Sequence, residues 1–154
     1  MMINIQIDET LEMADALTEL YPAIIEHAAR QALQQAGADA NAETTIVLSD
    51  DAHLQALNLQ FLGIDAPTDV LSFPGGDTDP DSEALYLGDV IISLARAQAQ
   101  ATAGGHPVQD ELQLLVVHGV LHLLGYDHTE EDEKAKMWAI QADILDSLGC
   151  QARA

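Results

Sequence analysis

Basic residues are scarce in this chain. Its 154 residues include only 5 Lys and Arg against 26 Asp and Glu, a formal net charge of −21. A field of that sign repels polyanions at long range, so charge alone argues against nucleic acid as a partner. It reads as a solvated acidic surface of the kind that suits high salt, or as an acidic docking face for a basic partner. Cysteine is nearly absent: Cys150 stands alone, so no disulfide can form within the chain, which fits a reducing cytosol. No segment approaches the ~20 uncharged apolar residues that a membrane span requires. The opening MMINIQIDETLEMADAL lacks the basic head and apolar run of a signal peptide. Together these absences predict a cytoplasmic protein with no membrane partner. Repeats, low-complexity tracts and dividing linkers are also missing, which predicts one domain over residues 1–154. With 48% apolar residues, a chain of this length buries roughly two-thirds of its unfolded surface and builds a core without staples.

The local patterns divide between strands early and helices late. Ile3, Ile5 and Ile7 alternate with polar residues, the period of a half-buried strand. A helix is expected from about Tyr21 to Gln35, stopped near Gly37. Thr44–Leu48 is β-branched and reads as a second strand, after which Ser49, Asp50 and Asp51 offer capping side chains for a helix over 51–60. Residues 62–69 form a turn around Gly63 and Pro67, followed by a short strand at Val70–Phe73. Asp77–Glu83 reads as an exposed acidic loop and Leu85–Ser93 as a further strand. Helices are expected over Leu94–Thr102, 108–124 and 130–147. The pattern predicts an α+β domain, a small mixed sheet with helices packed on it.

The chemistry concentrates in His118-Gly119-Val120-Leu121-His122-Leu123-Leu124-Gly125-Tyr126-Asp127-His128. Residues i and i+4 of a helix share a face, with Cβ atoms about 5–6 Å apart, so His118 and His122 can converge on one ion. Their helix, LQLLVVHGVLHLL, is apolar on nearly every side and should be buried. Two histidines there are costly unless their nitrogens find partners, and a metal satisfies both. Gly125 can turn the chain sharply and bring in His128 as a third ligand. A lone His-x-x-x-His arises often by chance, and core histidines bonded to backbone carbonyls are the plain alternative; the three-histidine pattern with its glycine turn favours metal. Neutral imidazole ligands suit Zn, Cu, Fe or Ni, and three of them with an open position suit catalytic zinc. Asp127, adjacent to a ligand candidate, is placed to orient a histidine or to assist with protons, with capping of the next helix as the plain alternative, and 129–133 places acidic charge at a helix N-terminus. His27, His53 and His106 stand outside the pattern.

The spacing H-x-x-x-H-x-x-G-x-x-H is that of metzincin peptidases, which carry a glutamate directly after the first histidine. Gly119 holds that position here, so a peptidase of this design would lack its proton acceptor. The run HGVLHLLGYDH instead resembles the hallmark of the YbeY family of bacterial endoribonucleases and rRNA maturation factors. Pro67-Thr68-Asp69-Val70-Leu71-Ser72-Phe73-Pro74 resembles its second hallmark, with Leu57-Asn58 before it and Leu87-Gly88-Asp89-Val90 after it in the expected order.

The resemblance spans at least residues 44–148. It implies a single α+β domain holding one zinc ion on His118, His122 and His128. It also implies cleavage of single-stranded RNA in 16S rRNA 3′ maturation and ribosome quality control. The implied partners are single-stranded rRNA, small ribosomal subunit components and an Era-type GTPase. Two positions depart from the family pattern: Leu62 stands where an arginine is expected and Ala66 where a basic residue commonly precedes the proline. Leucine cannot hold a phosphate through paired hydrogen bonds as a guanidinium does. The alternative is therefore a ribosome-assembly factor with a mainly structural zinc. Five cations can engage few phosphates, so weak RNA binding with a shallow salt dependence is expected.

Overall fold

The β-branched stretches become one sheet. In the computed structural model, which describes residues 1–11, 18–75 and 85–153, β1 covers Met2–Ile7, β2 Ala42–Ser49, β3 Val70–Pro74 and β4 Leu85–Ser93. The order is β1-β2-β4-β3. Strands β1, β2 and β4 run parallel, and β3 returns antiparallel on the β4 edge, so the expected mixed sheet forms. Central parallel strands are covered on both faces and read as continuous apolar runs. Ile46, Leu48, Val90 and Ile92 accordingly enter one core cluster, while Val47 and Ile91 enter another on the opposite face. The register of β4 against β2 shifts between Glu43 and Thr44, where Tyr86 and Gly88 are the partners. Gly88 has φ +131°, and a Cβ there would lie 2.2 Å from the Phe73 carbonyl oxygen, so glycine is required for β3 to close on β4.

Five α-helices complete the described fold: α1 Tyr21–Gln35, α2 Asp51–Leu62, α3 Leu94–Gly104, α4 Val108–Leu123 and α5 Glu131–Ser147, with a 3-10 turn at Thr18–Leu20. The predicted cap of α2 forms, with Asp50 Oδ1 accepting from the His53 backbone N–H at 2.7 Å. Helices α2 and α3 each run two residues beyond the expected end, because their stops are the left-handed glycines Gly63 and Gly105. The acidic loop expected at Asp77–Glu83 lies outside the described residues.

Helix α4 is the axis of the larger core. It packs against α1, α3, α5, β3 and β4, and Val116, Val117, Val120 and Leu121 are fully buried. Ile25 and Leu33 of α1 and Ile144 and Leu145 of α5 close around it. Burial of each such side chain contributes about 1.5–3 kcal/mol. The opposite face of the sheet is thinner: Leu54 of α2 packs on Leu71 and Ile91, with Val47, Leu57 and Phe73 partly covered. No helix among the described residues is long and apolar enough to cross a membrane.

Candidate metal centre

Helix α4 delivers His118 and His122 from one face, one turn apart. Gly125 then takes φ +97°, a left-handed turn that sends the chain back across the helix end. His128 follows, its backbone N–H donating to Asp127 Oδ1 at 2.7 Å. Asp127 thus fixes the turn that aims the third histidine. It does not cap the next helix, since the residue at that position is Glu130, which makes no side-chain cap bond. Glu131, Asp132 and Glu133 place the expected acidic charge in the first turn of α5.

The three predicted histidines come together. One ring nitrogen from each lies within 4.8 Å of the other two, and His118 Nε2 and His122 Nε2 are 3.1 Å apart. A tetrahedral ion with Zn–N distances of 2.0–2.1 Å spaces its ligands by roughly 3.4 Å, so the pair sits close to ligand spacing. Gln141 of α5, itself buried, accepts from His118 Nδ1 at 3.0 Å. That bond keeps the proton on Nδ1 and leaves the Nε2 lone pair facing the other histidines. Burial pushes the His118 ring below the ordinary histidine range. His122 is shifted the same way, first by burial and then by the neighbouring His118 and His128. Neutral imidazole is the form that ligates metal, and the donor set fits a divalent transition ion.

Gly119, between the two helical histidines, faces the sheet. A Cβ there would meet Val90 Cγ1 at 2.6 Å and Ser72 Oγ at 3.3 Å. The glutamate that follows the first histidine in metzincins therefore has no room here: it would be driven into a fully buried valine. Ser72 Oγ donates to the Gly119 carbonyl at 3.0 Å, tying β3 to the helix at the centre.

The histidines open into a groove of about 430 Å³ along β3, walled by Asp69, Ser72 and Leu62. Asp69 is its sole carboxylate among the described residues. That carboxylate is oriented by the Val70 backbone N–H on Oδ1 at 2.8 Å and by the Gln100 side-chain amide on Oδ2 at 3.3 Å. A second cavity of about 290 Å³ shares Asp69, Val70 and His118 with the groove and reaches Glu111. Glu111 pairs with His106 at 3.3 Å, and burial raises its carboxyl above the ordinary range. Trp138 of α5 closes the outer side, its ring 5.9 Å from His118 and 5.5 Å from His128.

The three histidines stand out in the sequence; Asp69, Ser72, Gln141, Glu111 and Trp138 take their places only in the fold. Asp69 and Ser72 were in view inside the PTDVLSFP block. Gln141 lies 23 residues from His118 and carried no signal. Two histidines that seemed isolated are partnered: His106 with Glu111, and His53 with Ser49 Oγ at 2.7 Å.

Comparison with known proteins bears on this geometry. The profile of the family described as Endoribonuclease YbeY matches residues 6–149. A protein of Pelotomaculum thermopropionicum named Endoribonuclease YbeY is 44% identical over 136 residues, 86% of this chain and 90% of the relative. One of the same name from Halalkalibacterium halodurans is 41% identical over 96% of this chain and 98% of its own length. Among solved structures, the solution structure of TM1509 from Thermotoga maritima superposes with a TM-score of 0.61 at 27% identity, covering 96% of this chain and 89% of that one.

Proposed function

The chain belongs to the YbeY endoribonuclease family, and from that premise we propose that it is a zinc-dependent, single-strand-specific endoribonuclease. In this reading the whole chain, 1–154, is one hydrolase domain. It acts in the cytoplasm in 16S rRNA 3′ maturation and ribosome quality control, beside small-subunit components and an Era-type GTPase. His118, His122 and His128 hold one zinc ion. The observation that carries the reading is the convergence of three imidazoles on an open groove.

Bound zinc supplies Lewis acidity for a phosphodiester oxygen and acidifies water toward neutral pH. The rest falls to the protein. Gln141 locks the His118 tautomer, and the Ser72–Gly119 bond fixes the helix against β3. Asp69, its carboxylate held by Val70 and Gln100, is the groove group positioned to accept a proton. Gly119 leaves that task open by carrying no side chain.

A second reading is a ribosome-assembly factor whose zinc is mainly structural. It is favoured by Leu62, which lines the groove and is 58% exposed, where the family pattern expects an arginine. One assay separates the two readings. Zinc-loaded protein is incubated with single-stranded RNA beside His118→Ala. Cleavage that vanishes in the variant supports the nuclease; no cleavage at any metal loading or salt supports the assembly factor.

A further inference from the structure

Exposed apolar side chains are concentrated at one place. Seven large hydrophobic residues stand exposed on the described surface, and four of them, Leu59, Phe61, Leu62 and Ile64, fall within six residues at the end of α2. The buried positions of α2 are Leu54 and Asn58, so the helix is apolar on its outer side as well. Scattered exposed leucines are ordinary, whereas a cluster marks a contact surface. The patch is continuous with the histidine groove, because Leu62 belongs to both.

Phe61 is the centre of this surface. Its ring meets that of Phe73 on β3 edge-to-face, with centroids 5.1 Å apart at 61°, a favoured aromatic geometry. Phe73 is half-buried on the α2 face of the sheet, packed against Leu54, Leu71 and Ile91, so it anchors the pair while Phe61 stays 57% exposed beside the groove residue Leu62.

Charge gives RNA little to grip at the groove itself. No Lys or Arg lines the groove among the described residues. Arg30, Arg96 and Arg153 are paired with Glu26, Asp51 and Asp146, and Lys134 lies over Trp138 at 5.5 Å. A polyanion approaching this surface finds few free phosphate contacts, and its bases are the part that complements an apolar wall. Aromatic stacking is tolerant of sequence because every base has a π face.

We propose that Phe61, steadied by Phe73, is a stacking platform for a nucleobase of the single-stranded RNA that lies in the groove. This rests on the nuclease reading for the identity of the ligand, and it makes base contact the main source of affinity in place of phosphate contact.

The test is binding, not cleavage. A short fluorescent single-stranded RNA is titrated with the full-length protein, with and without zinc, at several salt concentrations, and its anisotropy is followed. A second RNA carries the same backbone with abasic sites. Phe61→Ala and Phe61→Leu should weaken binding of the complete RNA by about 5- to 150-fold, with no change in the salt slope. Phe61→Trp should restore it. The abasic RNA should bind weakly and equally to all four proteins. Phe61→Leu keeps the apolar bulk at an exposed position, so loss there reports the ring and not misfolding. The proposal is overturned if Phe61→Ala and Phe61→Leu bind within twofold of the parent, as expected if a protein partner covers the patch. It is equally overturned if complete and abasic RNA bind alike. Cleavage scored on the same samples separates the two claims: Phe61-dependent binding without cleavage sinks the nuclease reading alone, and cleavage with Phe61-independent binding sinks the platform alone.

Discussion

The two faces of the sheet are built to different depths. On one, α1, α4 and α5 enclose a cluster that contains most of the buried apolar residues, and α4 is sealed within it. On the other, α2 covers only Leu54, Leu71 and Ile91 before its apolar surface opens to solvent. The histidine groove runs along β3, at the edge where the two meet. The deep face holds the features that need fixed geometry, namely ligand spacing, tautomer and helix position. The shallow face leaves an apolar surface accessible, the wall against which the proposed RNA would lie. A candidate ligand pair 3.1 Å apart tolerates little drift, and His118 and His122 sit on a helix buried along most of its length.

If that division is right, equal truncations should have unequal effects. Leu121→Ala, in the deep core one residue before His122, should cost toward the upper end of the roughly 2–5 kcal/mol range for buried leucines. Leu54→Ala, equally buried but in the three-residue cluster, should cost nearer the lower end, because the thin face can relax. Denaturant unfolding of both variants measures the gap, and equal costs would break the comparison. Gln141→Leu preserves bulk but releases the His118 tautomer, and metal affinity should fall about 10- to 100-fold, read by competition with a chelating dye. A change below twofold would show that the tautomer is fixed by other means.

Gly119→Ala probes the contact between α4 and the sheet. Overpacking against Val90 costs about 1–3 kcal/mol, offset by about 1 kcal/mol of helix propensity. The net should be a loss of up to roughly 2 kcal/mol in thermal or denaturant unfolding; a gain in stability would mean that the sheet yields. The smallest effect expected is one of pH. Burial holds the Glu111 carboxyl above its ordinary range, and its Oε2 has no hydrogen-bond partner. A carboxyl whose folded value lies above its unfolded one favours folding in acid, and that contribution disappears as pH rises through the folded value. Glu111→Gln cannot ionise. The melting-temperature difference, variant minus parent, should therefore rise between acid and neutral pH and then level. A flat or falling difference would contradict the assignment.

Most of this fold was legible in the sequence, because its elements carry strong local signals. The ends of α1 coincide with the predicted helix, since Pro22 starts it and Gly37 follows it; β4 coincides with the LYLGDVIIS run. The histidine centre was legible because its three ligand candidates lie within eleven residues, joined by a helix period and one glycine turn. What escaped was long-range. Nothing local announces that β4 inserts between β2 and β3, or that Gln141 reaches back to His118 from the next helix. The reason for Gly119 also lies elsewhere in the chain, in Val90, which becomes its neighbour only once α4 lies on the sheet. Phe61 lies beyond the expected end of α2 and carries no local signal, and Leu62 stands out only as a departure from the family pattern; their exposure beside the groove emerges only from the fold.

The central claim is that His118, His122 and His128 hold a zinc ion that the reaction requires. Elemental analysis and RNA cleavage on the same sample, for the parent and for His118→Ala, test it most directly. About one zinc per chain is expected in the parent, with zinc and cleavage lost together in the variant. Full zinc content in His118→Ala, or undiminished cleavage by zinc-free protein, would contradict it.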